Sequence, residues 1–184
     1  MDVRWKVGAA VAAIVCALVL SASPAAAGVP VLTRKDSAER ALVTRINAVR
    51  RAHGLRPLRL VSPLSSAARR HASSMGRTGY FKHELHTPKR TSDWTAFGTW
   101  IRWYWPGPGY TSWSAGENLA WGAPDLTALR TVRQWMASPP HRANLLAPGW
   151  RRVGVAIVHV DDPRNYFGRW NDITLAVAEF GRRS

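Results

Sequence analysis

The segments Ala115-Gly116-Glu117-Asn118-Leu119-Ala120 and Ser138-Pro139-Pro140-His141-Arg142-Ala143-Asn144 are the most informative part of this sequence. Each places one side chain that can do chemistry, Glu117 or His141, beside residues that bend or fix the backbone. Gly116 allows another segment to approach closely, and the proline pair fixes the backbone φ angle just before the imidazole. A carboxylate and an imidazole held in this way can form a metal site or an acid–base pair.

The N-terminal region predicts export from the cell. Arg4 and Lys6 give a positive start, an apolar run follows over residues 7–20, and three alanines at 25–27 offer a cleavage site before Gly28. This is the layout of a secretory signal peptide. The apolar run of about 14 residues is shorter than the ~20 that span a bilayer. We therefore predict a signal peptide over 1–27, cleavage after Ala27, and a secreted mature chain without a transmembrane segment.

Composition and charge limit the kinds of partner. The chain carries 26 Lys and Arg residues against 11 Asp and Glu residues, a formal net charge of +15. Anionic cell-envelope polymers and anionic lipids are therefore candidate partners, the alternative being a basic surface without a specific partner. The positive residues are scattered, which does not favour nucleic-acid binding. The one cysteine, Cys16, lies in the predicted signal peptide, so we expect no disulfide in the mature protein.

Periodicity and turn signals predict an α+β domain over residues 37–184, preceded by a short, poorly constrained leader over 28–36. The predicted elements are helices over 36–53, 62–79, 91–105 and 125–138, a helical turn over 141–146, an extended segment over 55–61, and strands over 110–120, 153–160 and 173–180. Because the strands do not alternate regularly with helices, an antiparallel central sheet covered by helices fits better than a doubly wound fold.

Two helix starts have recognisable capping signals. Asp36-Ser37-Ala38-Glu39 has a capping-box pattern, and Asp125 is the predicted cap of the helix over 125–138. This later helix is expected to turn its apolar side chains toward the core, namely Leu126, Leu129, Val132, Trp135 and Met136.

A Trp/Pro-rich segment occupies residues 92–113. Ser92-Asp93 is the predicted start of its helix, and Pro106-Gly107-Pro108-Gly109 ends that helix. Its aromatic rings are too numerous for a single buried stripe, so we expect some at the surface. They could form a platform for sugars or lipid tails, or a hydrophobic cluster under a long loop. The second interpretation is favoured.

His83, Glu117 and His141 are the candidates for chemistry. Their separations along the chain exclude a motif on one helix, so only the tertiary fold can bring them together. Two imidazoles and a carboxylate, with water as the fourth ligand, are a known zinc set. The alternative is that each group hydrogen-bonds the backbone and braces a loop.

Simpler roles are expected for other polar side chains. His53 lies at a helix C-terminus, where it favours the helix dipole, and His71 is expected to be a satisfied core residue. Asn47 and Asn144 are expected to bond loops. A nucleophile at Ser138 would need a base and an orienting acid, so a serine hydrolase is not favoured.

Seven short motifs occur in order along the chain. They are Leu42 to Asn47 with Arg50 and Gly54-Leu55, then Leu64, Ala68 and His71, then Phe81-Lys82-His83, Gly116-Glu117-Asn118, the run Trp135 to Leu145, Gly154-Val155-Ala156, and Glu179-Phe180-Gly181. From about Ala38 to Phe180 the chain resembles the CAP superfamily of cysteine-rich secretory, antigen-five and pathogenesis-related proteins, and specifically its short bacterial branch without disulfides.

The resemblance implies an α-β-α sandwich with a cleft between the helical layers. In this family two His and two acidic residues face the cleft, and in some members they hold a divalent metal such as zinc. His83, Glu117 and His141 match three of these positions, while Ser138 stands at the fourth, which removes one anionic ligand. Ser138 and Asn118 complete the expected cleft.

The resemblance leaves three functions open. The favoured one is a binding module whose His/Glu cleft takes a lipid or cell-envelope ligand, because the fourth acidic group is missing and no nucleophile is evident. The second is a protease-like metal-dependent hydrolase that uses His83, Glu117 and His141. The third is a structural protein that acts through its surface. The oligomeric state is left open.

Overall fold

The computed structural model describes residues 30–87 and 94–184. The predicted signal peptide over 1–27 and the Ser92-Asp93 helix start lie outside these described residues. Within the described ranges no helix is both long and apolar enough to cross a membrane.

The described strands form a five-stranded sheet and a separate two-stranded ribbon. The strands are β1 (Val31–Arg34), β2 (Arg59–Leu60), β3 (Leu85–His86), β4 (Trp94–Thr95), β5 (Trp113–Gly122), β6 (Arg152–Asp161) and β7 (Asp172–Arg183). The sheet has the order β1-β6-β7-β5 with antiparallel neighbours, and β2 pairs in parallel with β6. The predicted pairing of the last two strands is confirmed, and β5 lies at an edge of the sheet.

Helices cover both faces of this sheet. They are α1 (Asp36–Ala52), α2 (Ser62–Thr78), α3 (Phe97–Trp100), α4 (Ala128–Ala137) and α5 (Pro139–Leu146), with 3-10 turns at Ile101–Trp103 and Asn165–Phe167. Val155 and Ile157 of β6 pack in one cluster with α1, α4 and α5, while Ala156 and Val158 pack in another with α2. Since successive strand residues face opposite sides, this alternation confirms the expected α-β-α sandwich.

The α2 layer lies unusually close to the sheet. A Cβ at Gly154 of β6 would lie 2.0 Å from the backbone carbon of Leu64 and 2.0 Å from the backbone nitrogen of Ser65. Glycine is therefore required at this position, because any side chain would push the helix away. This close packing brings His71, two turns further along α2, into contact with β5.

The other layer is held by a buried guanidinium. Arg50 of α1 has no solvent exposure and donates hydrogen bonds to the carbonyl oxygens of Arg56 at 3.1 Å, Leu145 at 2.7 Å and Ala147 at 3.1 Å. Because these carbonyls include the end of α5, Arg50 fixes the helix that carries His141.

The helix predicted over 91–105 is shorter in the structure and begins only at Phe97. Trp94–Thr95 pairs with Leu85–His86 as a strand, and the helical part is reduced to α3 and the following 3-10 turn. Aromatic residues and threonine are weak helix formers, so strand pairing and ring packing decide the local conformation. Trp100 and Trp105 are fully buried in a cluster with Leu64, which confirms the favoured interpretation of this segment. Trp94 and Trp103 are the exposed rings that we expected there.

Both capping predictions are wrong. Glu39 does not bond the start of α1, since its carboxylate accepts from Arg34 Nη2 at 3.1 Å and from the Ile157 backbone N–H at 3.4 Å. Helix α4 begins at Ala128, and Thr127 rather than Asp125 caps it by accepting from the Arg130 N–H at 3.2 Å. Competing donors hold the Glu39 carboxylate away from the start of α1, whereas Asp125 lies two residues before Thr127, the residue that directly precedes α4.

Two further expectations differ from the structure. Leu129, expected in the core, is 39% exposed, because α4 turns only Ala128, Thr131, Val132 and Trp135 fully inward. Residues 28–36, expected to be a poorly constrained leader, include β1, whose four residues pair with β6 from Arg34↔Val158 to Val31↔Asp161. The backbone of this segment thus completes an edge of the sheet.

Candidate functional site

Glu117 is the centre of the candidate site. It lies on β5 with a side chain that is 1% exposed, and its two carboxylate oxygens are bonded to different imidazoles. Nδ1 of His83 donates to Oε1 at 2.7 Å, and Nδ1 of His71 donates to Oε2 at 2.5 Å. An ionised carboxylate only accepts hydrogen bonds, so both rings must carry a proton on Nδ1.

His71 is the partner that the sequence analysis did not assign to the site. It is fully buried on the inner face of α2, as expected, and its ring meets the edge of Trp100 at a centroid distance of 5.0 Å. Its Nε2 atom has no hydrogen-bond partner among the described residues. His71 is therefore a core residue that also holds the Glu117 carboxylate.

Glu179 is a second residue that sequence reasoning missed as part of the site. It lies directly opposite Glu117 in the β5–β7 register and is fully buried. Among the described residues, His71, Glu117 and Glu179 form the group of candidate ligand side chains whose ligand atoms all lie within 4.8 Å of one another. In the sequence, Glu179 was noted only as part of the motif Glu179-Phe180-Gly181. The strand register is what shows that it lies next to Glu117.

The two facing carboxyl groups have opposite protonation tendencies. Burial would raise the pKa of Glu117, but hydrogen bonds from His71 and His83 outweigh it and lower the pKa. Burial, together with the adjacent Glu117 charge, raises the pKa of Glu179 well above its ordinary value. Glu117 is thus the charged member of the pair and Glu179 the protonated one, as for other close carboxyl pairs.

His83 lies in the loop after α2, and its side chain is 53% exposed. Its hydrogen bond to Glu117 outweighs partial burial and raises the pKa of His83. The Trp100 indole Nε1–H donates to the His83 carbonyl oxygen at 3.1 Å, which fixes this loop against the aromatic cluster. The exposed part of the imidazole is therefore presented to solvent from a rigid base.

His141 lies in the first turn of α5, on the other helical layer. Burial lowers the pKa of His141, and the nearby His83 lowers it further. The structure thus places the two imidazoles close enough for their charges to interact, although the predicted trio of His83, Glu117 and His141 is not a set with all ligand atoms within 4.8 Å. Because β5 is an edge strand, groups from the two faces of the sheet can approach each other around it.

Asn118 and Asn144 connect α5 to β5. The fully buried Asn118 amide donates to the His141 carbonyl oxygen at 2.9 Å. The Asn144 amide donates to the Glu117 carbonyl and to Asn118 Oδ1, both at 3.0 Å. Asn144 therefore bonds the backbone, as expected, and Asn118 acts on the cleft through the position of α5 instead of lining it.

Gly116 explains how this connection becomes so close. A Cβ at this position would lie 2.7 Å from Asn144 Oδ1 and 2.9 Å from Trp150 Cζ2. The Trp150 indole in turn donates to Asn144 Oδ1 at 3.1 Å. The close approach predicted at Gly116 is thus observed, and the approaching group is the Asn144 side chain.

A cavity of about 380 Å³ opens beside His141 and is called the cleft below. It is lined by Phe81, Leu119, Ala120, Trp121, Gln134, Trp135, Ser138 and His141. Most of these side chains are apolar or aromatic, and the polar ones are Gln134, Ser138 and His141.

Aromatic rings continue from the cleft onto the surface. Trp121 packs edge-on against Tyr166 at 6.0 Å between ring centroids, and Phe81 stacks with the same tyrosine at 6.2 Å. Tyr166 is 59% exposed and Trp170, 5.9 Å from Trp121, is 37% exposed. An aromatic platform was considered for residues 92–113. The aromatic rings at and beside the cleft come instead from other parts of the chain, namely Phe81, Trp121, Tyr166 and Trp170.

The donors present can be compared with the needs of a zinc ion. Nδ1 of His83 is committed to Glu117, which leaves Nε2 as its free ring atom, in the arrangement of a carboxylate that supports a metal-binding histidine. His141 supplies the second imidazole. Ser138 supplies no carboxylate, so the set is smaller than the three protein ligands of a catalytic zinc site.

The fold described above is that of a CAP domain. The model of the cysteine-rich secretory protein family (CAP) matches residues 43–170 of the chain. The chain therefore belongs to the cysteine-rich secretory protein family, and the resemblance inferred from its motifs is confirmed.

Individual proteins resemble this chain in sequence or in fold. The uncharacterized protein YkwD of Bacillus subtilis is 33% identical over 121 residues, which cover 65% of this chain and 42% of that protein. An outer surface protein of Borrelia burgdorferi has a TM-score of 0.63 at 21% identity, covering 84% of this chain and all of that one. An extracellular SCP-domain protein of Bacillus anthracis has a TM-score of 0.60 at 22% identity, covering 80% and 41% of the two chains. The two structural similarities concern the fold.

Proposed function

We propose that this protein is a secreted binding protein whose cleft takes a lipid or another amphipathic component of the cell envelope. The observation that carries the proposal is the composition of the cleft, in which the aromatic side chains of Phe81, Trp121 and Trp135 face a cavity of about 380 Å³ with His141 at its side. Apolar walls with a few polar groups are typical of small-molecule sites. An acyl chain or a sugar ring would pack against the aromatic wall.

The imidazole of His83 favours a ligand with an anionic group. The bond to Glu117 raises the pKa of His83, so this ring carries a positive charge over a wider pH range than a free histidine. The net charge of +15 adds a general attraction to anionic envelope components. A carboxylate or phosphate headgroup near His83, with its apolar part along Trp121, satisfies both features.

Binding is favoured over catalysis by the position of Glu117. This carboxylate was the candidate acid–base group, yet it is 1% exposed and both of its oxygens are occupied by imidazoles. A general base must reach the proton that it removes. Glu117 instead orients His83, which makes it a positioning residue.

Binding can be tested by titrating the mature protein with palmitate and following tryptophan fluorescence. We expect saturable binding, weakened about tenfold by Trp121→Ala, since an aromatic side chain in a filled pocket contributes over 1 kcal/mol. Trp103→Ala is the matched control, because Trp103 is 57% exposed and does not line the cleft. Absence of saturable binding of palmitate and of soluble cell-wall fragments, or an equal loss in both variants, would contradict the proposal.

A metal-dependent hydrolase is the second candidate, and the Glu117–His83 bond is the observation that favours it. His83 and His141 would hold the ion, and a bound zinc would activate water and polarise a carbonyl group. Zinc titration by calorimetry should then show one site that is lost in His83→Ala and His141→Ala and weakened in Glu117→Gln. His53→Ala, at the exposed end of α1, is the control. No saturable zinc uptake by the wild-type protein would remove this candidate.

The surface-acting alternative makes a different prediction for the same variants. If the His and Glu side chains only brace the cleft, then His83→Ala and His141→Ala should lower the melting temperature while palmitate and zinc bind to neither these variants nor the wild type. Thermal unfolding followed by circular dichroism separates this outcome from the two others.

Export is part of the proposal. The predicted signal peptide over 1–27 supports it, and similar proteins are described as an outer surface protein and as an extracellular protein. N-terminal sequencing of the protein from the culture medium of an expressing bacterium should begin at Gly28. Retention of Cys16 in the recovered protein would contradict the predicted cleavage.

A further inference from the structure

Four arginines surround a concave region at the end of the sheet where β6 begins and β7 ends. Arg59, Arg151, Arg152 and Arg183 line a cavity of about 340 Å³, which we call the arginine pocket. Arg59 and Arg152 are direct partners in the parallel β2–β6 pair, and Arg183 is the last residue of β7. Residues far apart in sequence are thus brought together by strand pairing.

Within the described parts of the chain, the positive charge of this pocket is not balanced. No Asp or Glu oxygen there lies within 4.0 Å of any of the four guanidinium groups, although ion pairs of this length occur at Arg34 and Arg69. Like charges gathered in a concavity repel one another and focus a positive potential. An anion in the pocket would relieve this repulsion.

Internal contacts hold two of the guanidinium groups in place. Arg183 lies over the ring of the buried Trp105 at 4.5 Å and over Tyr110 at 4.2 Å, and it donates to the Pro106 carbonyl oxygen. Arg152 lies 5.7 Å from the same Trp105 ring. Side chains ordered in this way lose less entropy on binding than free surface arginines.

A third arginine is also ordered, and one donor is left over. Arg151 donates to the carbonyl oxygens of Pro148 at 2.7 Å and Trp150 at 2.9 Å. The Nε atom of Arg183 is buried without a hydrogen-bond partner among the described residues. Three of the four guanidinium groups that line the pocket are therefore held in place by contacts within the protein.

We propose that the arginine pocket binds a phosphoryl group. The planar guanidinium donates paired hydrogen bonds to phosphate oxygens, and a compact dianion can contact several guanidinium groups at once. The pocket is separate from the cleft, since the two cavities have no lining residue in common. The phosphoryl group would belong to a lipid headgroup or to a soluble phosphate ester.

The test is a calorimetric titration of the mature protein with inorganic phosphate at pH 7.5, with the ionic strength held constant by sodium chloride. We expect one saturable site whose dissociation constant rises about tenfold in Arg59→Gln and in Arg152→Gln, in line with the loss of a charged hydrogen bond. Arg59 is exposed, so its replacement should leave the fold intact.

Arg77→Gln is the matched control. It removes the same charge from an exposed position in the last turn of α2, a helix whose other end adjoins β2. This variant should bind phosphate within twofold of the wild type. Equal weakening in all three variants, or no saturable binding, would show that only the overall charge matters and would overturn the proposal.

Vesicles that contain phosphatidic acid, whose headgroup is a phosphate monoester, distinguish the two sources of the phosphoryl group. Co-sedimentation that is reversed by inorganic phosphate and lost in Arg152→Gln would assign the pocket to a lipid headgroup, and phosphate binding without co-sedimentation would assign it to a soluble ester. Trp121→Ala should bind phosphate as the wild type does, so this proposal and that for the cleft can fail separately.

Discussion

Nδ1 of His71 lies 2.5 Å from Oε2 of Glu117, and the two side chains are 0% and 1% exposed. Burying a charged carboxylate away from water costs free energy unless the charge is paired and hydrogen-bonded. His71 supplies one of the two bonds that hold this charge, and His83 supplies the other. The core of α2 and the accessible imidazole in the loop after it are therefore linked through one carboxylate.

Removing His71 should leave this buried charge with one partner. We expect His71→Ala to lower the free energy of unfolding by about 3–5 kcal/mol, as for other buried pairs that lose one member. Urea unfolding followed by circular dichroism measures the change, with His53→Ala as an exposed control that should cost less than ~1 kcal/mol. A loss in His71→Ala no larger than in the control would mean that Glu117 finds another partner.

Glu179 should make stability fall as the pH rises. Its folded pKa is raised, so its contribution is complete below the ordinary carboxyl pKa and is lost as the pH rises through the folded pKa, at up to ~1.4 kcal/mol per pH unit. Glu179→Gln removes this ionisation and keeps a similar shape. The difference in free energy of unfolding, Glu179→Gln minus wild type, should therefore become more positive as the pH rises from 5 to 7.

The other groups of the site should leave that comparison unaffected. The lowered pKa of Glu117 gives stability that is present above the ordinary carboxyl pKa and is lost as the pH falls through the folded pKa, and Glu179→Gln keeps this acid limb. The raised pKa of His83 gives stability that is present below the ordinary histidine pKa and is lost as the pH rises through the folded pKa. This contribution is the same in both proteins. Urea unfolding at several pH values tests the difference, with the exposed Glu84→Gln as control. Parallel curves for wild type and Glu179→Gln would contradict the assigned protonation.

Gly116→Ala should separate α5 from β5. The new methyl group would lie 2.7 Å from Asn144 Oδ1 and 2.9 Å from the Trp150 ring. We expect a loss of about 1–3 kcal/mol, typical of overpacking, and a change in tryptophan fluorescence. Gly98→Ala is the matched control, because a Cβ there meets nothing within 4 Å and alanine favours the helix α3. Similar melting temperatures for the two variants would be the contrary result.

Asn144→Ala should weaken the same contact between α5 and β5 by removing hydrogen bonds. It removes the hydrogen bonds to the Glu117 carbonyl and to Asn118 Oδ1, each 3.0 Å long, and leaves these buried acceptors unpaired. We expect a loss of about 2–3 kcal/mol in urea unfolding. The exposed Asn171→Ala should be nearly neutral. A neutral effect at Asn144 would show that water replaces its amide.

Local sequence patterns correctly predicted the elements whose ends are set by residues close in sequence. Helices α1 and α2 begin and end within a residue or two of the predicted positions, because their apolar spacing and terminal glycines act within one turn. The helix predicted over 91–105 failed where the conformation depends on a partner, since Trp94 pairs with His86 on another strand. The Asp125 cap failed because α4 begins at Ala128, so Thr127 is the residue placed to accept from the Arg130 N–H.

The candidate site was predicted in part for the same reason. Motif spacing singled out Glu117 and His83, which the fold joins directly, and His141, which it places nearby. His71 was expected to be an ordinary core residue, and Glu179 was not connected with the site. The antiparallel pairing of β6 with β7 was expected, but the pairing of β5 with β7, whose register sets Glu179 opposite Glu117, was not, because it depends on packing along the whole sheet.

The amino-acid order alone was enough to establish the family, the order of the main helices and strands, and the residue types available for chemistry, because these depend on short-range spacing. The charge states of those residues followed only from the folded chain. Whether Glu117 is ionised, Glu179 protonated and His83 positively charged depends on burial and on hydrogen bonds between residues 34 and 46 positions apart. Such contacts exist only after α2, β5 and β7 have packed, so no local pattern encodes them.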